Sequence, residues 1–207
     1  MDIFRYLLIV LIGYLIGCSN LAYYIARAKG FDIQKTGTGN PGASNAMMLL
    51  GWKFGILVAL HDIGKAALAV WLCSKLFPSL SFCRELAGAA CILGHLFPFY
   101  LRFRGGKGFA STIGTILMLN WRVALCILAV MVVLVLITDY IVVGTVTTVV
   151  AYPAYCAATH QFFAAVILTV VALIILYKHR ENFVRILRGT EVGLRKANRG
   201  EMRIDRK

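Results

Sequence analysis

The chain has 207 residues, 60% of them hydrophobic, and a mean hydropathy of +0.78, which excludes an ordinary soluble globular domain. Its formal net charge of +13 could suggest nucleic acid, but 17 of the 22 lysines and arginines fall in only three stretches, 27–53, 102–107 and 178–207. Basic residues concentrated beside apolar runs read as membrane topology, so no nucleic-acid partner is expected.

Seven apolar segments follow in chain order, at about 4–28, 53–77, 82–101, 109–120, 122–138, 140–158 and 162–177. A hydrocarbon core about 30 Å thick needs roughly 20 helical residues, and most of these segments approach that length. The run at 109–120 is short, a half-helix or a strongly adapted span. The expectation is therefore an all-α, polytopic membrane protein with about seven transmembrane helices in one bundle. With the basic loops kept inside, the N-terminus is expected to lie out and the C-terminus in. No internal repeat interrupts residues 1–207, which read as one domain ending in a basic amphipathic segment at about 178–207 that anchors at anionic headgroups.

In the first segment, Leu15-Ile16-Gly17-Cys18 imitates a lipoprotein cleavage box. Asp2 cancels Arg5 and the apolar run continues through Leu21–Ile25, so the span is expected to be retained. Gly13-xxx-Gly17 and Gly51-xxx-Gly55 suit close helix approach. The six cysteines read as buried small hydrophobes, with Cys73 and Cys83 the one pair near the outer face, and no metal site or cofactor is indicated.

The first polar loop reads GFDIQKTGTGNPGASN, residues 30–45. Gly37, Gly39, Pro41 and Gly42 forbid a helix and let amides turn inward, while Thr36, Thr38, Asn40, Ser44 and Asn45 add neutral donors. Such a loop suits an anion held by many hydrogen bonds. Within the second span, Asp62 and Lys65 stand at i and i+3. Ionisable groups in hydrocarbon are costly, so the pair neutralises itself or Lys65 helps hold the inner-face site.

The second loop, RFRGGKGFAS at 102–111, follows Gly94-His95-Leu96-Phe97-Pro98. Gly105, Gly106 and Gly108 would let amides approach a phosphate beside the point charge of Lys107, at the N-terminus of the next helix. It is not a Walker A loop, which needs Ser or Thr after the lysine and a preceding strand. The third region, KHRENFVRILRGTE at 178–191, can place His179, Asn182 and Ile186 on one helical face at the membrane boundary.

Together FDIQKTGTGNPGASN, GHLFPFYLRFRGGKGFAS and HRENFVRILRGTE resemble the bacterial membrane acyltransferases that move a fatty acyl group from acyl phosphate to glycerol 3-phosphate. The resemblance implies seven spans with all three motifs on the cytoplasmic face. It implies a Gly105–Gly108 loop that binds the glycerol 3-phosphate phosphate, functional roles for His179 and Asn182, and a supporting role for Glu191. The first motif departs from the family pattern: Thr38 stands for Ser, Met48 for Arg and Gln34 for a common Arg. Loss of a cation at Met48 is not conservative and points to altered substrate preference or lower activity.

Acyl phosphate is a mixed anhydride whose leaving group departs easily, whereas the acceptor's primary hydroxyl must be oriented and deprotonated. Lys107 and the amides of Gly105, Gly106 and Gly108 are expected on the acceptor phosphate, with His95 and Lys65 nearby. Gly39, Asn40, Asn45 and Thr38 are expected on the second phosphate or the carbonyl oxygen. His179 is the candidate general base, unless a substrate phosphate oxygen takes the proton and His179 and Asn182 only position groups. Asp62 and Glu191 are expected to support the structure. The substrates and membrane lipids are the expected partners, and the chain is expected to work as a monomer, with oligomers left open. A carrier for small phosphorylated anions is the competing class, though it favours charged midplane helices and paired inverted halves. A lipid phosphatase would need a nucleophile or metal constellation that the sequence lacks.

Overall fold

The computed structural model describes residues 2–193 and Arg195. The basic tail expected from the sequence therefore lies, from Lys196 onward, outside the described residues. Ten α-helices make up the described chain: α1 (Asp2–Cys18), α2 (Leu21–Ala28), α3 (Ala43–Leu50), α4 (Trp52–Leu76), α5 (Cys83–Leu96), α6 (Phe109–Leu119), α7 (Trp121–Thr138), α8 (Ile141–Ala158), α9 (Phe162–Lys178) and α10 (Arg180–Leu187). A 3₁₀ turn at Phe99–Leu101 follows α5, and no strand occurs among the described residues.

Every apolar segment expected from the sequence is helical, but the span count is finer than the helices decide. Four stretches, Asp2–Ala28, α4, α7 and α8, are long and apolar enough to cross a bilayer. A fifth arises if α9 and α10, bent by 50°, are taken together. Helices α5 and α6, with 14 and 11 residues, are shorter than the roughly 20 that a full crossing needs. The first segment is also not one continuous helix. It breaks at Ser19-Asn20, where the Asn20 side chain accepts from the Tyr23 amide at 2.9 Å and caps α2.

Helix α5 is the hub. Ten of its residues are buried, five of them alanine or glycine, so neighbouring backbones can come close. Gly13 and Gly17 of α1 face Ala87, Ala90 and Cys91, and Gly94 faces the Tyr14 carbonyl, so any Cβ at these glycines would overlap the opposite helix. Gly88 receives Thr115 of α6, and Gly114 of α6 meets the Ile63 carbonyl of α4 in the same way. Gly55 packs on Met47, but Gly51 does not serve helix approach. It ends α3 with φ +94° and has open space around it. Helix α7 buries only Ala124, Ile127 and Val135 and turns Leu136 and Ile137 outward, the pattern of a peripheral helix facing lipid. All six cysteines are free, and Cys126 is exposed rather than buried.

Candidate active site

The three polar loops meet at one end of the bundle because tyrosines and backbone bonds pull the helix ends together. Tyr14 Oη donates to the Phe97 carbonyl at 2.7 Å, Tyr100 Oη to the Cys18 carbonyl at 2.8 Å, and the Tyr24 and Tyr100 hydroxyls lie 2.9 Å apart. Gln34 Nε2 donates to the Arg104 carbonyl at 2.6 Å and joins the first loop directly to the second.

The first loop is organised around Asn45, which is fully buried. Its Oδ1 accepts from the Thr38 amide at 2.9 Å, and its Nδ2 donates to the Ile33 and Thr36 carbonyls at 3.2 and 3.0 Å. Those bonds commit its amide to holding the loop, so Asn45 shapes the site rather than offering a free donor to substrate. Asn20 Nδ2 adds a bond to the Pro41 carbonyl at 2.9 Å. Gly39 turns with φ +69°, and Thr38 stands exposed beside Asn40, whose amide lies 3.4 Å from the Thr38 hydroxyl.

The second loop corrects an expectation from the sequence. The amides of Gly105 and Gly106 do not reach for a ligand: they donate to the Leu96 and His95 carbonyls at 3.0 and 3.1 Å, closing the loop onto the end of α5. The glycines are needed for packing. A Cβ on Gly105 would overlap the His95 carbonyl, and one on Gly106 would overlap the His95 imidazole. Gly108, at φ +88°, caps α6. The N–H groups of Lys107, Gly108 and the first residues of α6 have no protein acceptor among the described residues. They are the amides available to an anion at a helix N-terminus. The Ser111 hydroxyl, in the first turn of α6, is the one buried side-chain oxygen or nitrogen without a partner among the described residues.

The third region supplies the facing wall. Lys107 Nζ donates to Asn182 Oδ1, Asn182 Nδ2 donates to Glu191 Oε1 at 2.6 Å, and Arg185 Nε donates to Glu191 Oε2 at 2.5 Å. Glu191 thus orients Asn182, and Asn182 orients the lysine. Burial, with Arg185 nearby, pulls Lys107 below the usual lysine range. His179 occupies the 50° break between α9 and α10. Its Nδ1 lies 2.9 Å from the Ile175 carbonyl, which can only accept, so Nδ1 carries the proton and the Nε2 lone pair is left without a protein partner among the described residues. Burial lowers the His179 pKa to about 4, so the ring is neutral at ordinary pH. Beside Asn182, Phe183 and Ile186 of α10 face Val142, Val146 and Val150 of α8 across an apolar groove of about 450 Å³.

Lys65 does not face a ligand. Its Nζ is committed to the Ser19 carbonyl (2.6 Å), Asp62 Oδ1 (2.8 Å) and His95 Nδ1 (2.8 Å), and Asp62 is its buried counter-ion. Sequence reasoning missed the Gln34 bridge, the Arg185–Glu191 pair and the tie between Asp139 and the backbone N–H of Arg195 at 2.9 Å. The glutamine and arginine sit inside the quoted motifs, but nothing in their spacing names the partner.

The chain is similar to known proteins along nearly its whole length. The family model described as glycerol-3-phosphate acyltransferase matches residues 7–189. Glycerol-3-phosphate acyltransferase 1 of Oceanobacillus iheyensis is 35% identical over 199 residues, covering 91% of this chain and 95% of the relative. A glycerol-3-phosphate acyltransferase of Thermus thermophilus is 35% identical over 183 residues, covering 88% and 92%. The crystal structure of PlsY, an integral membrane glycerol 3-phosphate acyltransferase, in its glycerol 3-phosphate form superposes with a TM-score of 0.86 at 30% identity, covering 93% of this chain and 97% of that one. The lysophosphatidic acid form gives 0.81 at 31% identity, covering 91% and 94%. With its bundle, its three joined loops and a match along nearly its whole length, the chain belongs to the glycerol-3-phosphate acyltransferase family.

Proposed function

We propose that this chain transfers a fatty acyl group from acyl phosphate to the sn-1 hydroxyl of glycerol 3-phosphate, giving lysophosphatidate and inorganic phosphate. The observation that carries the reading is Lys107. It stands between the unpartnered amides at the start of α6 and the Asn182–Glu191 chain, a cationic pocket built for a phosphate.

In this reading the acceptor phosphate binds Lys107 and the N–H groups of Lys107, Gly108 and the first turn of α6. Thr38, Asn40 and the turn at Gly39 hold the donor phosphate or carbonyl. The acceptor hydroxyl oxygen attacks the acyl carbonyl carbon, and the C–O bond to phosphate breaks, releasing phosphate. His179 Nε2 takes the hydroxyl proton, because its lone pair is fixed and its ring is neutral. Holding both anions against one cationic wall supplies proximity and offsets their repulsion. The acyl chain lies in the groove between α8 and α10, open to lipid. The chain spans the bacterial inner membrane seven times as one monomeric domain, N-terminus out, with the site on the cytoplasmic side, as its basic-residue distribution favours.

The test is purified protein in lipid nanodiscs, assayed for lysophosphatidate formation with acyl phosphate and, separately, acyl-CoA. Turnover with acyl phosphate alone is expected. Turnover only with acyl-CoA would overturn the donor assignment.

A further inference from the structure

A chain of polar groups runs below the glycine loop: Ser19, His61, Asp62, Lys65 and His95. Ser19 Oγ and His61 Nε2 are 3.0 Å apart, and His61 Nδ1 is 3.3 Å from Asp62 Oδ1. Asp62, Lys65 and His95 are all at least nine-tenths buried. An array of this kind inside an apolar bundle is costly unless its geometry is complete. The reaction steps under the proposed function do not use it.

The geometry at Lys65 is complete. An ammonium has three N–H donors and no acceptor, and Nζ faces three acceptors at 2.6 to 2.8 Å, namely the Ser19 carbonyl, Asp62 Oδ1 and His95 Nδ1. His95 Nδ1 must therefore present its lone pair to Lys65. Asp62 Oδ1 is also 3.4 Å from that nitrogen, a longer and weaker approach than the 2.8 Å of the ammonium. With Nδ1 bare, the proton of a neutral His95 sits on Nε2. That atom lies against Gly106, where a Cβ would overlap it, and has no protein acceptor among the described residues.

We propose that Lys65 and Asp62 are positioning residues that fix His95 as the Nε2–H tautomer, making it a neutral donor to the phosphate bound at the glycine loop. The proposal rests on the acyltransferase reading for the identity of that phosphate, and on the hydrogen-bond geometry alone for the tautomer. It gives the ionisable pair in α4 a purpose at a distance. The pair touches no substrate, but the ring it orients stands directly behind Gly106, whose amide is bonded to the His95 carbonyl. One histidine thus braces the loop with its backbone and offers its ring to the ligand. A neutral donor also suits a pocket already carrying Lys107, because it adds a hydrogen bond without a second buried cation.

Two measurements test this. The first is the ¹⁵N–¹H correlation spectrum of the imidazoles in the ¹⁵N-histidine-labelled protein, with the His95 signals assigned by His95→Gln. A protonated Nε2 and bare Nδ1 are expected, whereas a protonated Nδ1 overturns the proposal, whatever the enzyme assay gives. The second is a mutant cycle between Asp62→Asn/Lys65→Met, which keeps the buried site neutral, and His95→Gln, whose amide supplies an N–H without needing a fixed tautomer. The paired change is expected to raise KM for glycerol 3-phosphate about tenfold in the wild-type background, with a smaller effect on kcat, and to cost much less in the His95→Gln background. An equal cost in both backgrounds overturns the positioning role. If the paired variant does not fold, the spectrum of the wild-type protein still decides. An inactive wild-type protein with the Nε2–H spectrum intact would refute the function and leave the tautomer standing.

Discussion

Lys107 and Asn182 lie 75 residues apart in sequence, and the lysine ammonium donates to the asparagine oxygen. That bond closes the second loop on the third, and Glu191 fixes the asparagine from behind at 2.6 Å. Glu191→Gln keeps the shape but removes the charge that Arg185 and Asn182 both use. Losing a charge-assisted bond costs on the order of 1.5–3 kcal/mol, here discounted to the lower end because Arg185 is partly exposed. We expect reduced thermal stability and reduced kcat. An unchanged melting temperature and unchanged rate would remove Glu191 from the site.

Gly106→Ala places a methyl group in the His95 ring. Overpacking of this kind costs about 1–3 kcal/mol, and the displaced element is the loop that carries Lys107. KM for glycerol 3-phosphate should rise more than kcat falls, read from steady-state kinetics of folded protein. An unaltered KM would mean the loop is only a turn.

The pH dependence follows from His179. Its folded pKa of about 4 lies below the ordinary histidine value, so between about pH 4 and 6.5 the unfolded chain binds more protons than the folded one. The stability that depends on keeping this ring neutral is fully present above about pH 6.5 and is lost as pH falls toward about 4. The rate should likewise hold from neutral pH down to about 5 and decline near about 4. An acid limb centred at about 6.5, the ordinary histidine value, in a kcat/KM profile would show that burial does not hold the base neutral as described.

Met48 sits half-buried on α3, at the position where the first motif implies an arginine. If a phosphate-binding cation is missing, Met48→Arg should raise activity with acyl phosphate about tenfold, the value of one charge-assisted bond. If Lys35 or Lys53 compensates, the arginine is neutral or harmful, and Lys35→Ala or Lys53→Ala lowers activity instead. Lys53 Nζ lies 5.8 Å from the Trp52 ring centre and Lys35 is exposed, so both can turn toward an anion. Full activity in both alanine variants sinks compensation.

Membrane topology is checked by cysteine accessibility in intact cells. Single cysteines at positions 35 and 107 should react only after permeabilisation, and a reporter at Lys196, outside the described residues, should be cytoplasmic. Labelling of position 107 from outside would overturn the shared-face argument.

The sequence by itself determined that the seven apolar runs are helical, since a run of apolar residues in lipid must satisfy its backbone within the segment, but not the break at Ser19-Asn20 or the short helix α3. It also singled out the polar loops that the bundle joins at one end, because glycine clusters, Lys107 and the HRENF stretch have no place in a hydrocarbon bundle. The Asn20 cap on α2 is not expected from the sequence, in which the first segment reads as one continuous span. Tertiary structure alone decided the assignments between loops. Gly105 and Gly106 look like phosphate-facing amides in sequence, yet their N–H groups are consumed by α5, a partner whose position depends on how that helix ends. Asn45 looks like a donor for substrate, yet its amide is taken up in holding its own loop. Lys65 looks like a cation for the site, yet Ser19, Asp62 and His95 saturate it. The physical reason is the same in each case. A polar group's donors and acceptors are fixed by its residue type, but which of them remain unpaired depends on neighbours that only the packed bundle brings within about 3 Å.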